Sequence, residues 1–226
     1  MKGRLNPNLK IIKPSFRVGK AHLKIVGGTL LIGLIIYVIV IQHFLAVTSP
    51  VRAEILVVEG WIWDKPAMRE VLEEFNKGGY QRLICVGEPL RGRRVSDRKS
   101  YADLAASRLV ELGIEERFIH RLTVSNGEDH RTYSSAFAVR DWVRKEKPAA
   151  TAVNVFTLGV HARKSQVLFK KAFGPKFEIG IIAGTESAYP VHTWWASRTG
   201  IYLVLRNTVG YLYALICPPP ESQTHQ

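Results

Sequence analysis

The residues best suited to chemistry lie where a short apolar stretch turns into a basic helix. Residues 152–158 are rich in β-branched and aromatic types and end at Gly159, which predicts a strand followed by a turn. Apolar residues at helical spacing then predict a helix over residues 161–173. Its first turn carries four side chains that can bind an anion: His161, Arg163, Lys164 and Ser165. Backbone N–H groups without an intrahelical partner lie there too, so the pattern predicts an anion site.

Glu59 is the acid most suited to act with His161. It directly follows an apolar run at residues 54–58, and a carboxylate beside a histidine can orient the ring or accept a proton. We therefore predict His161 and Glu59 as the catalytic pair, with Arg163 or Lys164 stabilising charge. A salt bridge for Glu59, a helix cap for His161 and a solvated surface for the two basic residues are the alternatives.

Further candidates follow the ends of the predicted strands. In an open parallel sheet, ligands bind beyond the carboxyl ends of the strands, at the point where the strand order reverses. The predicted ligand-binding residues are Gly60, Trp61, Gly87, Glu88, Asp129, Arg131, Thr132, Gly159, Arg163, Lys164 and Ser165. With a strand order of 3-2-1-4-5, residues 59–64 would face residues 161–165, whereas another order would separate them. Asp129 has the alternative role of a helix cap, and Trp61 that of covering the edge of the core.

Familiar catalytic and cofactor motifs do not occur in the sequence. It contains no G-x-S-x-G elbow, no G-x-x-x-x-G-K-[ST] loop and no G-x-G-x-x-G fingerprint. No H-x-x-x-H or paired C-x-x-C suggests a metal site. The cofactor therefore stays unknown, and we predict no metal ligands.

Five short strands alternate with helices along the chain. The strands are expected at residues 54–58, 82–86, 118–124, 152–158 and 177–182, and the helices at residues 66–77, 101–112, 132–145, 161–173 and 196–216. This alternation is typical of an α/β fold, here a doubly wound, mainly parallel five-stranded sheet of Rossmann-like type.

The N-terminal region predicts a membrane anchor. Residues 1–24 hold seven Lys or Arg and no acid, and residues 25–47 contain no charged side chain over a length that can cross a bilayer. The basic flank should stay in the cytoplasm and place residues 48–217, the α/β domain, on the other side of a bacterial inner (plasma) membrane. A cleaved signal peptide and a buried core helix are the alternatives. Residues 218–226 are expected to be a disordered tail.

The charge of the chain does not indicate nucleic-acid binding. Formal net charge is +13, but about half of this excess lies in the basic tail, and the rest of the chain has 25 basic and 19 acidic residues. Residues 201–216 are very apolar and could be a second membrane span. Because Arg206 and Asn207 lie in the middle of this segment, we expect it to pack on the sheet instead. The two cysteines, Cys85 and Cys217, are expected to be free thiols, with a disulfide as the alternative.

Several segments resemble one family of bacterial envelope proteins. They are residues 55–60, 83–87, 129–136, 157–165, 194–197 and 211–213. In order and spacing they are similar to the motifs of the YdcF/SanA/ElyC-like family, including its strand-and-glycine turns and its segment around a histidine. The chain departs from the family's pattern at Glu59, at Ser134 and Ser135, at Lys164 and at Asn207.

The resemblance implies a membrane-anchored Rossmann-like protein of cell-wall or envelope biogenesis. Together with the basic helix start, it leads us to expect an anionic, phosphate-bearing ligand such as a lipid-linked intermediate. The alternative is a non-catalytic interaction module of the envelope assembly machinery, since Ser134 and Ser135 stand where the family's pattern often has Glu-Asn.

Overall fold

The computed structural model describes residues 20–77, 79–90, 100–124 and 131–216. Several sequence predictions fall outside these ranges. They concern the basic tail up to residue 19, the helix end at Gly78, the polar loop 91–99, the turn that holds Asp129, and residues 217–226 with Cys217.

The chain divides into two compact units, Met1–Ile39 and Val40–Gln226. Helix α1 (Lys20–Leu45) supplies the described part of the first unit and ends in the second. Its segment His22–Leu45 has a mean hydropathy of 2.5 and is, within the described ranges, the one helix long and apolar enough to cross a membrane. A possible span at the N-terminus is therefore supported, as the sequence predicts.

The second unit is built on a five-stranded parallel sheet. Its strands are β1 (Ile55–Glu59), β2 (Arg82–Gly87), β3 (Ile119–Thr123), β4 (Ala152–Leu158) and β5 (Glu178–Gly184). Their order is β3-β2-β1-β4-β5, and each pair is parallel. This confirms the predicted fold class and strand order, so the order reverses between β1 and β4.

Helices cover both faces of the sheet. They are α2 (Lys65–Asn76), α3 (Tyr101–Glu111), α4 (Arg131–Glu146), α5 (Ala162–Phe173) and α6 (Arg198–Ile216), with short 3-10 helices at Glu116–Phe118, Gly159–His161 and Val191–Ala196. Asp64 caps α2, and Ser100 begins α3 with a capping box to Asp103. These caps explain why both helices begin where they do.

Successive side chains along a strand point alternately to the two faces of the sheet, and each face has its own hydrophobic core. Leu56, Val58 and Phe156 pack against α2 and α3 on one face. Val57 and Val155 pack against α4 and α5 on the other face. Because both faces are covered, the strands are apolar almost throughout, as expected for a parallel sheet.

The last turn of α1 belongs to the core of the second unit. Leu45 is fully buried, and Gln42 Oε1 accepts a hydrogen bond of 3.0 Å from the hydroxyl of Tyr189. The segment that follows is bound to the edge of the sheet, since Ser49 exchanges backbone hydrogen bonds of 2.7 and 3.1 Å with Ile181. The chain between the apolar helix and β1 is thus part of the folded domain.

Helix α6 packs against α5 and two of the 3-10 helices. Its buried residues, Gly200, Val204, Asn207 and Ala214, recur at spacings of four, three and seven and so lie on one face. The opposite face is exposed, although most of its side chains are apolar.

Candidate functional site

Glu59 is a buried carboxylate at the carboxyl end of β1. Only 3% of the residue is exposed. Its Oε1 accepts a hydrogen bond of 3.1 Å from Ser165, and its Oε2 accepts one from the hydroxyl of Thr157 and one of 3.3 Å from Trp61 Nε1. The pairing of β1 with β4 brings Thr157 beside Glu59, and the start of α5 brings Ser165. The carboxylate therefore lies at the point where the strand order reverses.

His161 faces Glu59 across the same strand boundary. Its Nε2 lies 3.7 Å from Glu59 Oε2 and 3.5 Å from the hydroxyl of Thr132 in α4. Its Nδ1 lies 3.0 Å from Oδ1 of Asn207, whose Nδ2 donates to the carbonyl of Leu203. Since the amide group presents its oxygen to the ring, Nδ1 carries the proton and Nε2 presents its lone pair to Glu59. His161 occupies the N-cap position of α5, but its side chain makes no capping hydrogen bond.

Three basic residues act on this pair through their charge. The positive charges of Lys164, Arg206 and Arg131 all act on His161, and Lys164 also interacts with Glu59. The stem of Lys164 lies against Gly210 of α6, where a Cβ would come within 3.0 Å of its Cδ. The site thus has contributions from β1, β4, α4, α5 and α6.

Burial shifts the proton affinities of the three central groups. It raises the pKa of Glu59, although the hydrogen bonds from Thr157 and Ser165 and the charge of Lys164 act in the opposite direction. Burial and the charge of Lys164 hold the pKa of His161 well below its usual value. Burial likewise lowers the pKa of Lys164 to about 8, against the attraction of Glu59. At neutral pH His161 is therefore a neutral base.

Trp61 covers the histidine from the solvent side. Its ring meets the ring of His161 edge to face at a centroid distance of 5.2 Å, while 43% of the residue stays exposed. Trp61 thus contacts both members of the pair.

Arg163 points away from this pair. Its Nε donates to the carbonyl of Phe44, and its guanidinium carbon lies 4.0 Å from the centre of the Phe44 ring. Of the two basic residues predicted at the start of α5, Lys164 is the one that interacts with the carboxylate.

Glu88 and Arg131 lie together at the ends of β2 and α4. Arg131 Nε lies 3.8 Å from Glu88 Oε1, which has no hydrogen-bond partner among the described residues. The buried hydroxyl of Tyr133 also lacks a partner within those ranges. Asp129 lies in the adjoining segment outside the described residues.

The structure gives a local reason for each of the three glycines that the sequence predicts in the ligand site. A Cβ on Gly60 would lie 2.8 Å from the carbonyl oxygen of Val86, and one on Gly87 would lie 2.9 Å from the backbone nitrogen of Ala102. Gly159 has a φ of 43°, which suits the turn between β4 and α5. Their contact with a ligand stays a prediction.

Two residues of the site are absent from the sequence-based assignment, Thr157 and Asn207. Each of them stands out in the sequence. Thr157 is a polar residue in an apolar strand, and Asn207 replaces an acid of the resembled family. Neither signal shows which carboxylate or histidine the side chain would contact.

A group of three or more His, Cys, Asp or Glu that could hold a metal ion does not occur in the described part of the chain.

Comparison by sequence identifies no relative of this chain. No family model matches the chain, and no characterised protein sequence gives a significant match.

Proposed function

We propose that this chain is a membrane-anchored bacterial envelope protein whose α/β domain binds an anionic, phosphate-bearing ligand. The observation that carries the proposal is the buried Glu59–His161 pair, which lies where the strand order reverses and on which the charges of Lys164, Arg131 and Arg206 act. The carboxyl ends of the strands at such a reversal are the usual ligand site of an open parallel sheet.

The charge around the pair favours an anion. Three cationic side chains act on His161, while Glu59 is already supplied with hydrogen bonds from Thr157, Ser165 and Trp61. Lys164 interacts with Glu59, and Arg131 lies near Glu88. Three basic side chains thus face two acids, so an oxyanion would supply negative charge that these acids do not.

His161 is the acid–base group in this proposal. With Nδ1–H held by Asn207, the lone pair of Nε2 can accept a proton from an attacking hydroxyl or water and return it to the leaving oxygen. The positive charges of Lys164 and Arg131 would stabilise the negative charge that develops on the phosphate oxygens. The reaction class is transfer or hydrolysis at the phosphate.

An uncleaved anchor is supported by the packing of its last turn. Leu45 is fully buried and Gln42 binds Tyr189, so cleavage after the apolar stretch would remove part of the domain's core. The basic tail before the helix supports a cytoplasmic N-terminus and an extracytoplasmic domain in the inner membrane.

Membership of the YdcF/SanA/ElyC-like family is part of the proposal. Thr132 and His161, which belong to two separate matched segments, meet at one site, and this convergence supports the resemblance. A role in cell-wall or envelope biogenesis follows from it.

A non-catalytic interaction module is the second candidate function. The observation in its favour is that Glu59 already accepts three hydrogen bonds from its own protein, as a purely structural buried carboxylate would.

Thermal shift of the full chain in detergent tests the proposed ligand class. Inorganic phosphate and pyrophosphate should raise the melting temperature in proportion to the logarithm of their concentration once it exceeds the dissociation constant. His161→Ala and Lys164→Ala should each reduce this shift. Lys170→Ala is the matched control, because it removes one exposed positive charge from the same helix.

The result distinguishes the two candidates. A shift retained in Lys170→Ala and lost in Lys164→Ala would support the anion site. Equal shifts in all variants, or none with either anion, would contradict it and favour the interaction module.

A further inference from the structure

We propose that the exposed face of α6 lies on the surface of the lipid bilayer that holds the anchor. We define this apolar face by Ile201, Tyr202, Leu205, Val209, Leu212 and Ile216. This membrane contact does not depend on the ligand proposed above.

The apolar face is unusual for a helix at a protein surface. Leu205 is 47% exposed, Val209 66% and Ile216 80%. A helix with apolar residues on all sides is normally buried, and α6 buries only the face that carries Val204 and Asn207. The exposed side chains form one continuous stripe, which marks an interaction surface.

Contact with the end of the anchor identifies the occupant. The rings of Tyr211 and Phe44 meet edge to face at a centroid distance of 5.4 Å, and both residues belong to the second unit. Phe44 lies one residue before the end of the apolar helix at Leu45. The bilayer boundary is close to Phe44 if this helix spans a membrane, so Tyr211 in the C-terminal half of α6 lies near the same boundary.

The polar residues along α6 fit a position at the interface. Arg198 and Arg206 are the two charged side chains of the helix, and Arg206 lies over the ring of Tyr202 at 5.8 Å. Trp195, just before α6, is 47% exposed. Basic and aromatic side chains beside an apolar face are typical of helices that lie on anionic membranes.

A crossing of the bilayer fits α6 less well than contact with its surface. Arg206 and Asn207 lie near the middle of the helix, where a charge in the hydrocarbon region is costly. Asn207 is also bonded to His161 and so holds that face of α6 on the domain. The face of α6 that carries Asn207 packs on the domain, and the opposite face is accessible to lipid.

Site-specific fluorescence on the full chain tests this placement. The chain is reconstituted at one copy per vesicle in phosphatidylcholine–phosphatidylglycerol vesicles, with an environment-sensitive label at Leu205→Cys or at Val209→Cys in a Cys217→Ser background. Burial raises the pKa of Cys85 to about 12, so this thiol does not compete for the label. A label at Glu73→Cys, an exposed position in α2, is the matched control.

Lipid contact predicts blue-shifted emission and quenching by doxyl-labelled lipids at positions 205 and 209, with neither effect at position 73. Iodide in the aqueous phase should quench the label at position 73 more strongly than the labels at positions 205 and 209. Equal iodide quenching at all three positions, without lipid quenching, would overturn the proposal. Disulfide formation between two Val209→Cys chains at higher protein density would overturn it as well, because a second copy would then cover the face. Two labelled positions keep the test decisive if one variant fails to fold.

Discussion

The Glu59–His161 pair combines two groups whose buried environment disfavours their charged forms. Burial raises the pKa of the acid and lowers the pKa of the base, so each group is driven toward neutrality. Only donated hydrogen bonds and the charge of Lys164 oppose this trend at Glu59. Opposite shifts of neighbouring groups are common where an acid and a base exchange protons.

Replacing Glu59 by glutamine should make stability less dependent on pH. Because the folded pKa of Glu59 is raised, ionisation favours the unfolded chain, and wild-type stability is lost as pH rises from about 4.5 through the folded pKa. Glu59→Gln keeps the size and removes this loss. Its melting temperature should therefore match wild type near pH 4 and exceed it near pH 8, as measured by thermal denaturation in detergent. A variant that is less stable than wild type at pH 8 would contradict the raised pKa.

At the residue scale, the sequence predicted the side chains at the centre of the site but not all of their contacts. Glu59, His161, Lys164 and Ser165 were all selected because they leave the carboxyl ends of β1 and β4, and the structure brings them together. The direction of Arg163 was not predictable, because it depends on Phe44, which is distant in sequence.

At the element scale, the two glycines after β1 and β2 set how closely α3 approaches the sheet. Any side chain at Gly60 or Gly87 would collide with the backbone of Val86 or Ala102. The N-terminus of α3 is also fixed by Ser100, whose hydroxyl accepts a hydrogen bond of 3.1 Å from Thr123. The position of this helix thus depends on backbone contact as well as on side-chain packing.

Gly87→Ala should destabilise the domain. The added methyl group would lie 2.9 Å from a backbone nitrogen, so α3 must shift, at a cost of about 1–3 kcal/mol. Gly28→Ala is the matched control, because a Cβ there meets no atom within 4 Å. The melting temperatures of the two variants give the comparison, and equal values for both would refute the close-approach argument.

The order of the elements was predictable because the signals for it are local. Apolar runs, glycine turns and helical spacing place five strands and five helices of the domain to within a few residues. The right-handed crossover then restricts the arrangement of consecutive strands. The last turn of α1 was not predicted as part of the core, since a long apolar segment gives no sign of which of its residues pack against the domain.

At the scale of the whole molecule, the segment after α1 is held by a buried asparagine. Asn154 Oδ1 accepts a hydrogen bond of 2.9 Å from the backbone nitrogen of Val51, and its Nδ2 donates to the Val51 carbonyl and the Tyr80 hydroxyl at 2.8 Å. Tyr80 in turn donates to Glu74. One side chain in β4 therefore joins the connecting segment to the sheet and to α2.

Asn154→Ala should loosen this connection. The variant leaves both backbone groups of Val51 without their partner, at an expected cost of about 1–3 kcal/mol. Limited proteolysis should then cut between residues 46 and 54 faster than in wild type. Asn76→Ala, at the exposed end of α2, is the control and should change neither stability nor cleavage. Unchanged proteolysis of Asn154→Ala would show that other contacts hold the segment.

The burial of Leu45 bears on the fate of the protein after a proteolytic cut. A protease that severed the chain just beyond the apolar helix would release a domain without this leucine and without the Gln42–Tyr189 bond. Loss of a buried leucine side chain alone costs about 2–5 kcal/mol. Shedding and unfolding are therefore coupled, so the freed fragment would be a substrate for further degradation rather than a lasting soluble form.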